Sequence, residues 1–341
     1  VRICILGATG LVGRETVELV ARAWPGATVD LYASRDQELT LGGTRHPVAA
    51  ASRLEDAAAP RGDLALVALD DEHSKRYVPR LLELGYRVVD KSNTYRGDPK
   101  VPLVAAGANA DRVDASVRLV ANPNCTTIPL VLALQPLHRQ FGLHVVTVST
   151  YQAVSGAGIA ALDTFLAAST QGYREAERLG LRFDASSYAG NTVPHSGGTD
   201  DSGFSSEERK LVFEARKILA LPALPLGAQC CRVPVAVGHY ENVWVTFERP
   251  VDLAGVASAL RAAPFVRYLD GAAGEGLSAL ACVHDRDRTL VGRLRFDPRD
   301  ADRRSVCLTV VGDNLRVGAA TNGVRIASRW FPSSDPDLQA A

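Results

Sequence analysis

The chain has 341 residues, enough for two domains with separate cores, and its 46% hydrophobic and 22% charged residues exclude a disordered or fibrous protein. Lys+Arg and Asp+Glu balance at 38 each, so no global field gathers nucleic acid or an anionic membrane surface. No apolar run reaches the roughly 18–20 residues of a spanning helix and no signal peptide is read, so a cytoplasmic protein is expected.

In chain order, residues 2–6 form an apolar strand, followed by Gly7-Ala8-Thr9-Gly10-Leu11-Val12-Gly13 and a helix whose Val17, Val20 and Ala21 share one face. Further strands are predicted at 29–33, 63–69, 86–89 and 118–121, the last inside the apolar stretch 113–122, with a helix at 73–84. That alternation reads as a doubly wound parallel sheet. After a long apolar helix the pattern changes to longer strands at 145–152, 229–235, 242–247, 290–296 and 306–311, with a helix at 253–263. The second half is therefore predicted as α+β on a mainly antiparallel sheet. Pro, Gly and Ser cluster at 186–206, marking a long excursion. A helix at 316–331 is expected to return to the first domain, and the tail from 332 to be disordered. The expected domains are 1–125 and 126–315.

Glycines at 7, 10 and 13, between a strand and a helix, suit a dinucleotide: they allow a tight turn and present helix amides to phosphate, with Thr9, Leu11 and Val12 completing the loop. After the second strand, Ser34 and Arg35 favour a 2′-phosphate and hence NADP, whereas Asp36 would suit the ribose hydroxyl of NAD. A solvated loop charge is the plain alternative for Arg35.

Cys125 stands where a strand gives way to the apolar helix, in Ala121-Asn122-Pro123-Asn124-Cys125-Thr126-Thr127. Unpaired amides and the positive dipole end at a helix start stabilise a thiolate, and the same amides can hold an oxyanion. The plain alternative is a buried cysteine acting as a small hydrophobe. The six cysteines (Cys4, Cys125, Cys230, Cys231, Cys282 and Cys307) lack metal-ligand spacing, so free thiols and no metal are expected. Of seven histidines, His46, His73, His138, His144 and His284 read as surface residues and His195 lies in the excursion. His239 ends the apolar run Arg232-Val233-Pro234-Val235-Ala236-Val237-Gly238-His239, read as one strand. Arg232 within that run needs an anion, either an internal carboxylate or a substrate carboxylate. Glu207 and Lys210, three apart, share a helix face, which a surface ion pair would also explain.

These residues bring out a resemblance. Gly7–Gly13 and the stretches 91–96, 122–127, 149–158, 207–210, 231–239 and 312–322 resemble the aspartate-β-semialdehyde dehydrogenase family, in family order over nearly the whole chain. The resemblance implies a Rossmann-like dinucleotide-binding domain followed by a catalytic and dimerisation domain. It implies Cys125 as acyl-thioester nucleophile, His239 as general acid/base and Gln152 as the group orienting the acyl chain. Arg232 and Glu207 would hold the substrate carboxylate and ammonium, while Arg96, Lys210 and Asn124 would hold phosphate. Ser155, Gly156 and Asn322 would face the nicotinamide half of NADP. The implied reaction is NADPH-dependent conversion of L-aspartyl 4-phosphate to the semialdehyde, in a homodimer or dimer of dimers. The alternatives are the same chemistry on a related acyl phosphate, or a catalytically silent NADP-binding paralogue. Two segments depart from the family pattern: 191–203 is richer in Gly and Ser, and 281–287 lacks a proline-containing run.

Overall fold

The computed structural model describes residues 1–171, 188–194, 198–271 and 274–341; His195 and part of the 186–206 excursion lie outside them. The chain divides into two compact units, Val1–Asn124 with Ala319–Ala341, and Cys125–Gly318.

The first unit is built on β1 (Arg2–Leu6), β2 (Thr28–Ala33), β3 (Gln37–Leu41), β4 (Thr44–Ala50), β5 (Leu64–Val67), β6 (Arg87–Asp90) and β7 (Leu119–Ala121), in sheet order β3-β4-β2-β1-β5-β6-β7. Apart from the antiparallel β3–β4 edge, the pairings are parallel. Strands β1 and β5 sit at the centre, with Ile3–Leu6 and Leu64–Val67 fully buried, as continuous apolar runs require when both faces are covered. Helices α1 (Leu11–Ala23), α2 (Asp71–Glu83) and the short α3 (Ala106–Asn109) connect them. Asp70 caps α2 by accepting the His73 N–H at 2.9 Å.

The second unit begins with α4 (Thr127–Phe141), whose apolar sequence reflects burial on nearly every side. Its sheet comprises β8 (Leu143–Gln152), β9 (Val193–Pro194), β10 (Leu226–Arg232), β11 (His239–Phe247), β12 (Val266–Tyr268), β13 (Thr289–Phe296) and β14 (Ser305–Gly312), ordered β12-β13-β14-β11-β8-β10-β9. Its central pairs are antiparallel, while β8–β10 and β12–β13 run parallel. Helices α5 (Ile159–Gln171), α6 (Ser206–Leu219) and α7 (Leu253–Arg261) complete it. A capping box starts α6: Ser205 Oγ accepts the Glu208 N–H, and Glu208 Oε2 accepts the Ser205 N–H at 2.7 Å. Along β11 burial alternates, with His239, Glu241, Val243, Val245 and Phe247 inside.

The structure departs from the sequence reading at four places. The run from Arg232 to His239 is not one strand: β10 stops at Arg232, Pro234 cannot donate to a ladder, and Gly238 turns at φ 100° so that His239 opens β11. The strand expected at 118–121 appears as Leu119–Ala121, and it does not reach back towards 113 because Asp114 draws the Ser116 N–H into a turn at 2.7 Å. An unpredicted hairpin, β3–β4, turns on Gly42 and Gly43, both at positive φ. Its strands are polar because they form a sheet edge. Finally, the tail is ordered. Buried Arg325, on α8 (Thr321–Ala327), donates from Nη2 and Nε to the Asp337 carbonyl at 2.7 and 3.0 Å. Leu338 is fully buried, and Ser334 N–H reaches the Ala23 carbonyl. The predicted helix at 316–331 appears as a π-helical turn, Arg316–Ala320, followed by α8.

Deleting residues 332–341 should therefore cost about 3 kcal/mol or more, since a buried guanidinium loses its acceptor. Arg325→Met should cost less, because it removes the charge together with its need for a partner. Thermal melts of the three proteins check this, and a truncated chain that melts like the full one would show that the tail carries no stability.

Candidate active site

The register of three neighbouring strands assembles the second unit's polar residues. Strand β8 lies between β10 and β11; Arg232 pairs with Gln152 in one ladder, and the other runs Tyr240 to Tyr151, which sets His239 opposite Gln152. Arg232, Gln152 and His239 thus form one row at the strand ends, all buried and on one face. Directly behind it, Cys230, Thr150 and Glu241 form a second row, and Val148 with Val243 continues the face as apolar core.

Cys125 precedes α4, whose N-cap residue Thr126 makes no side-chain cap. Its Sγ lies 3.2 Å from His239 Nε2. Gly318 packs against it so closely that a Cβ there would stand 2.9 Å from the Cys125 carbonyl oxygen. The Ala153 backbone holds the row from behind: its N–H donates to His239 Nδ1 at 3.0 Å, and its carbonyl accepts from Arg232 Nη1 at 2.6 Å. Gly156 leaves room for both, since a Cβ there would stand 2.9 Å from Arg232 Nη1 and 3.6 Å from His239 Nε2.

Glu207 is buried at the start of α6, where the dipole favours its charge. Its Oε1 accepts from Gln152 Nε2 at 3.0 Å, and its Oε2 meets Lys210 Nζ at 2.6 Å. The pair is therefore part of the polar row rather than a surface ion pair. Ser155 and Asn314 are joined, Asn314 Nδ2 donating to Ser155 Oγ at 2.9 Å, and Asn314 Oδ1 accepts the Gly238 N–H at 3.0 Å. Asn314 thereby ties the turn before His239 to the loop of Ser155 and Gly156.

In the first unit the glycine loop is shaped by contact. A Cβ at Gly7, whose φ is +86°, would strike the Ala68 carbonyl, and one at Gly13 would strike the Gly7 carbonyl. Gly10 stands at the N-cap of α1 with no side-chain cap, so the first turn through Leu11, Val12 and Gly13 presents its amides and dipole as anion sites do. Ser34 and Arg35 follow β2 and are exposed. Asp36 turns to Ala50 and Arg53, accepting from the former's N–H at 2.8 Å and pairing with the latter at 2.6 Å; the Ala50 bond, then Arg53, hold its carboxyl below the usual range. Lys91, at the end of β6, donates to Thr16 Oγ1 at 3.0 Å, and Thr16 donates to the Val12 carbonyl at 2.7 Å. Arg96 is buried, donating to the Lys91 carbonyl at 2.7 Å. Asn124 is buried immediately before Cys125. Asn322 donates to the Val104 carbonyl and Asn122 Oδ1 and accepts the Ala106 N–H, so its amide holds this unit together.

Sequence reasoning missed Ala153, whose contribution is all backbone, and Asn314, which only its position after β14 would have marked. Among the described residues no cluster of three or more His, Cys, Asp or Glu has metal-site geometry, and no helix is long and apolar enough to cross a membrane.

Residues 2–116 match the family model described as semialdehyde dehydrogenase, NAD binding domain, and residues 134–317 match semialdehyde dehydrogenase, dimerisation domain. The chain is 37% identical to the aspartate-semialdehyde dehydrogenase of Mycolicibacterium smegmatis (96% of this chain, 98% of that one) and 34% identical to that of Aquifex aeolicus (96% of each). Among solved structures, aspartate semialdehyde dehydrogenase II of Vibrio cholerae complexed with ASA matches with a TM-score of 0.86 at 30% identity, covering 96% of this chain and 97% of that one.

Burial pushes the Lys91 ammonium down to about 8, against the opposing pull of Asp90. The folded chain then releases this proton near pH 8, while the unfolded chain holds it to about 10.4. Between those limits the unfolded state binds more protons at this group, so the contribution of Lys91 to stability should rise with pH, by at most about 3 kcal/mol. Buried thiols such as Cys230 and Cys282, pushed up to about 12, act in the opposite direction in both proteins. Urea unfolding at pH 7 and pH 10 should therefore show the wild type gaining relative to Lys91→Met; an unchanged difference between the two proteins would remove Lys91 as a source of pH dependence.

Proposed function

Because the chain belongs to the aspartate-semialdehyde dehydrogenase family, we propose that it reduces L-aspartyl 4-phosphate with NADPH to L-aspartate 4-semialdehyde and phosphate, through a thioester on Cys125. The observation that carries this is Cys125 Sγ at 3.2 Å from His239 Nε2, at the end of a row that also holds Gln152 and Arg232. The thiolate attacks the acyl carbon, and the C–O bond to phosphate breaks. His239 meets the sulfur and the oxygen on which charge develops. Gln152, fixed by Glu207, orients the acyl group, and Glu207 receives the substrate ammonium. Arg232, turned by a neutral carbonyl, presents a planar fork to the α-carboxylate. Lys210 and Arg96, with Asn124, are the proposed phosphate ligands.

The cofactor, when bound, supplies the hydride that converts the thioester to the aldehyde. Gly7, Thr9, Gly10, Leu11, Val12 and Gly13 are proposed to hold its pyrophosphate, and Ser34 and Arg35 the 2′-phosphate that makes NADP the preferred form. The engagement of Asp36 with Ala50 and Arg53 supports that preference. Ser155 and Gly156 are assigned to the nicotinamide half. Asn314, bonded to Ser155, is a better candidate there than Asn322, whose amide is committed to Val104, Asn122 and Ala106. The protein is read as a homodimer, with a dimer of dimers as the finer proposal, and its product as feeding lysine, diaminopimelate, threonine and methionine synthesis.

The reverse assay tests the reaction. Aspartate semialdehyde should reduce NADP, in preference to NAD, only when phosphate is present, and Cys125→Ala should abolish turnover while leaving NADP binding intact. Turnover without phosphate, or by the alanine variant, would remove the thioester route. No activity on this substrate but activity on another acyl phosphate would move the substrate assignment alone.

Arg232→Lys keeps the charge and loses the fork. kcat/KM should fall at least about tenfold, roughly 1.4 kcal/mol of transition-state binding, with little change in melting temperature. A large drop in stability with near-normal kcat/KM would instead make Arg232 a structural residue.

A further inference from the structure

Parallel sheets of this kind hold ligands at the carboxyl ends of their strands. In the first unit the ends of β1, β5 and β6 lie side by side: the Ala68 N–H donates to the Leu6 carbonyl and the Lys91 N–H to the Val67 carbonyl, at 2.8 and 3.1 Å. The glycine loop leaves the end of β1, and Lys91 leaves the end of β6. The Lys91 ammonium turns towards α1, donating to Thr16 Oγ1 at 3.0 Å, and Thr16 donates in turn to the Val12 carbonyl, inside the turn proposed to hold pyrophosphate. Among the described residues Thr16 is its one hydrogen-bond acceptor, although an ammonium carries three donors. Gly323 on α8 leaves it room, since a Cβ there would stand 3.1 Å from Lys91 Cε and 3.6 Å from Nζ. Lys91 is only half-buried, so solvent reaches the residue and a ligand can do so too. Charge of opposite sign is sparse around it. Asp90 is its neighbour, but successive strand residues point to opposite faces, and the Asp90 carboxylate accepts from Ser74 and Ser92. Arg96, in the loop after β6, brings like charge to the Lys91 carbonyl. On α1 Arg14 is exposed with Nε on the Thr9 carbonyl, and on α8 Arg325 is turned to the Asp337 carbonyl. A desolvated cation with one neutral acceptor calls for an anion.

We propose, on the reading of the cofactor given above, that Lys91 is a further binding residue for the dinucleotide, supplying beside the glycine loop the positive charge that its pyrophosphate requires. The loop contributes amides and a dipole, which favour an anion without neutralising it; Lys91 adds a full charge joined to the same turn through Thr16. The charge is also titratable, because burial pushes the ammonium down to about 8. An anion beside it favours the protonated form. Binding therefore takes up a proton from solution wherever the free lysine is partly deprotonated. By reciprocity, affinity is full below that range and falls as pH rises through it. One pKa unit of such coupling is a tenfold change in affinity.

Calorimetry of NADP and NAD binding to the Cys125→Ala protein, in which that thiol cannot titrate, tests this without turnover. At pH 8, titrations in two buffers of different ionisation enthalpy should show uptake of a fraction of a proton with either dinucleotide. Adding Lys91→Met should abolish the uptake and weaken both dinucleotides at pH 7 by at least about tenfold. The fall in affinity that the parent shows between pH 7 and pH 9.5 should then be absent. Binding to the parent without proton uptake overturns the proposal and leaves the cofactor reading standing, and that measurement needs no lysine variant to fold. Equal affinities with and without the lysine overturn it as well, and so does a loss confined to NADP, since the charge would then serve the 2′-phosphate. Failure of both dinucleotides to bind the parent overturns the cofactor reading and this inference with it.

Discussion

The site turns on the backbone of one residue. The N–H of Ala153 fixes His239 and its carbonyl fixes Arg232, so a single backbone position holds two residues that are distant in sequence. The two groups lie in adjoining rigid peptide planes joined at its Cα, so neither bond can be reoriented without moving the backbone on that side. Gln152, one residue earlier, is fixed in turn by Glu207, and Glu207 by its place in the first turn of α6. Side chains that are long and flexible in solution are thereby held by short bonds to rigid elements, which is how a site keeps reacting groups within a fraction of an ångström.

The arrangement sets several charged groups in buried places. Arg232, Glu207, Arg96 and Asp90 are all buried, and burial of charge is costly unless each group has partners. Asp90 shows the balance: burial raises its carboxyl, while Ser92 and then Ser74 pull it down through hydrogen bonds. At Glu241, directly behind the row of Arg232, Gln152 and His239, burial alone acts, and it raises the carboxyl well above the usual range.

What sequence reasoning recovered follows from local physics. The glycine loop, the apolar central strands, the helix after Cys125 and the shared face of Glu207 and Lys210 each depend on residues within one turn or one strand. Most of the failures are non-local. Arg232 and His239, seven residues apart, looked like one strand, yet Pro234 and Gly238 separate them onto β10 and β11 with β8 between. The tail looked polar enough to be disordered, but the Asp337 carbonyl and Leu338 meet a core formed by residues far away in sequence. The hairpin at Gly42-Gly43 was hidden by polar edge strands, although its turn dipeptide was in plain view. Ala153 left no trace at all, because a backbone contact writes nothing into the side-chain alphabet.

The alignment of Arg232, Gln152 and His239 across three strands has a consequence for how this chain acquires activity. In a sheet, slipping one strand by a single residue sends its side chains to the opposite face. A slip of β8 would point Gln152 away from the row and carry Ala153 away from both of its partners. The pairings that prevent this join residues 80 or more positions apart, and such long-range contacts form late and slowly during folding. A compact chain with native-like helix and strand content but a shifted central strand would thus be inert. Enzymatic turnover is, for this molecule, a ruler of strand alignment, and regain of activity after denaturation times the last and slowest event in building the sheet.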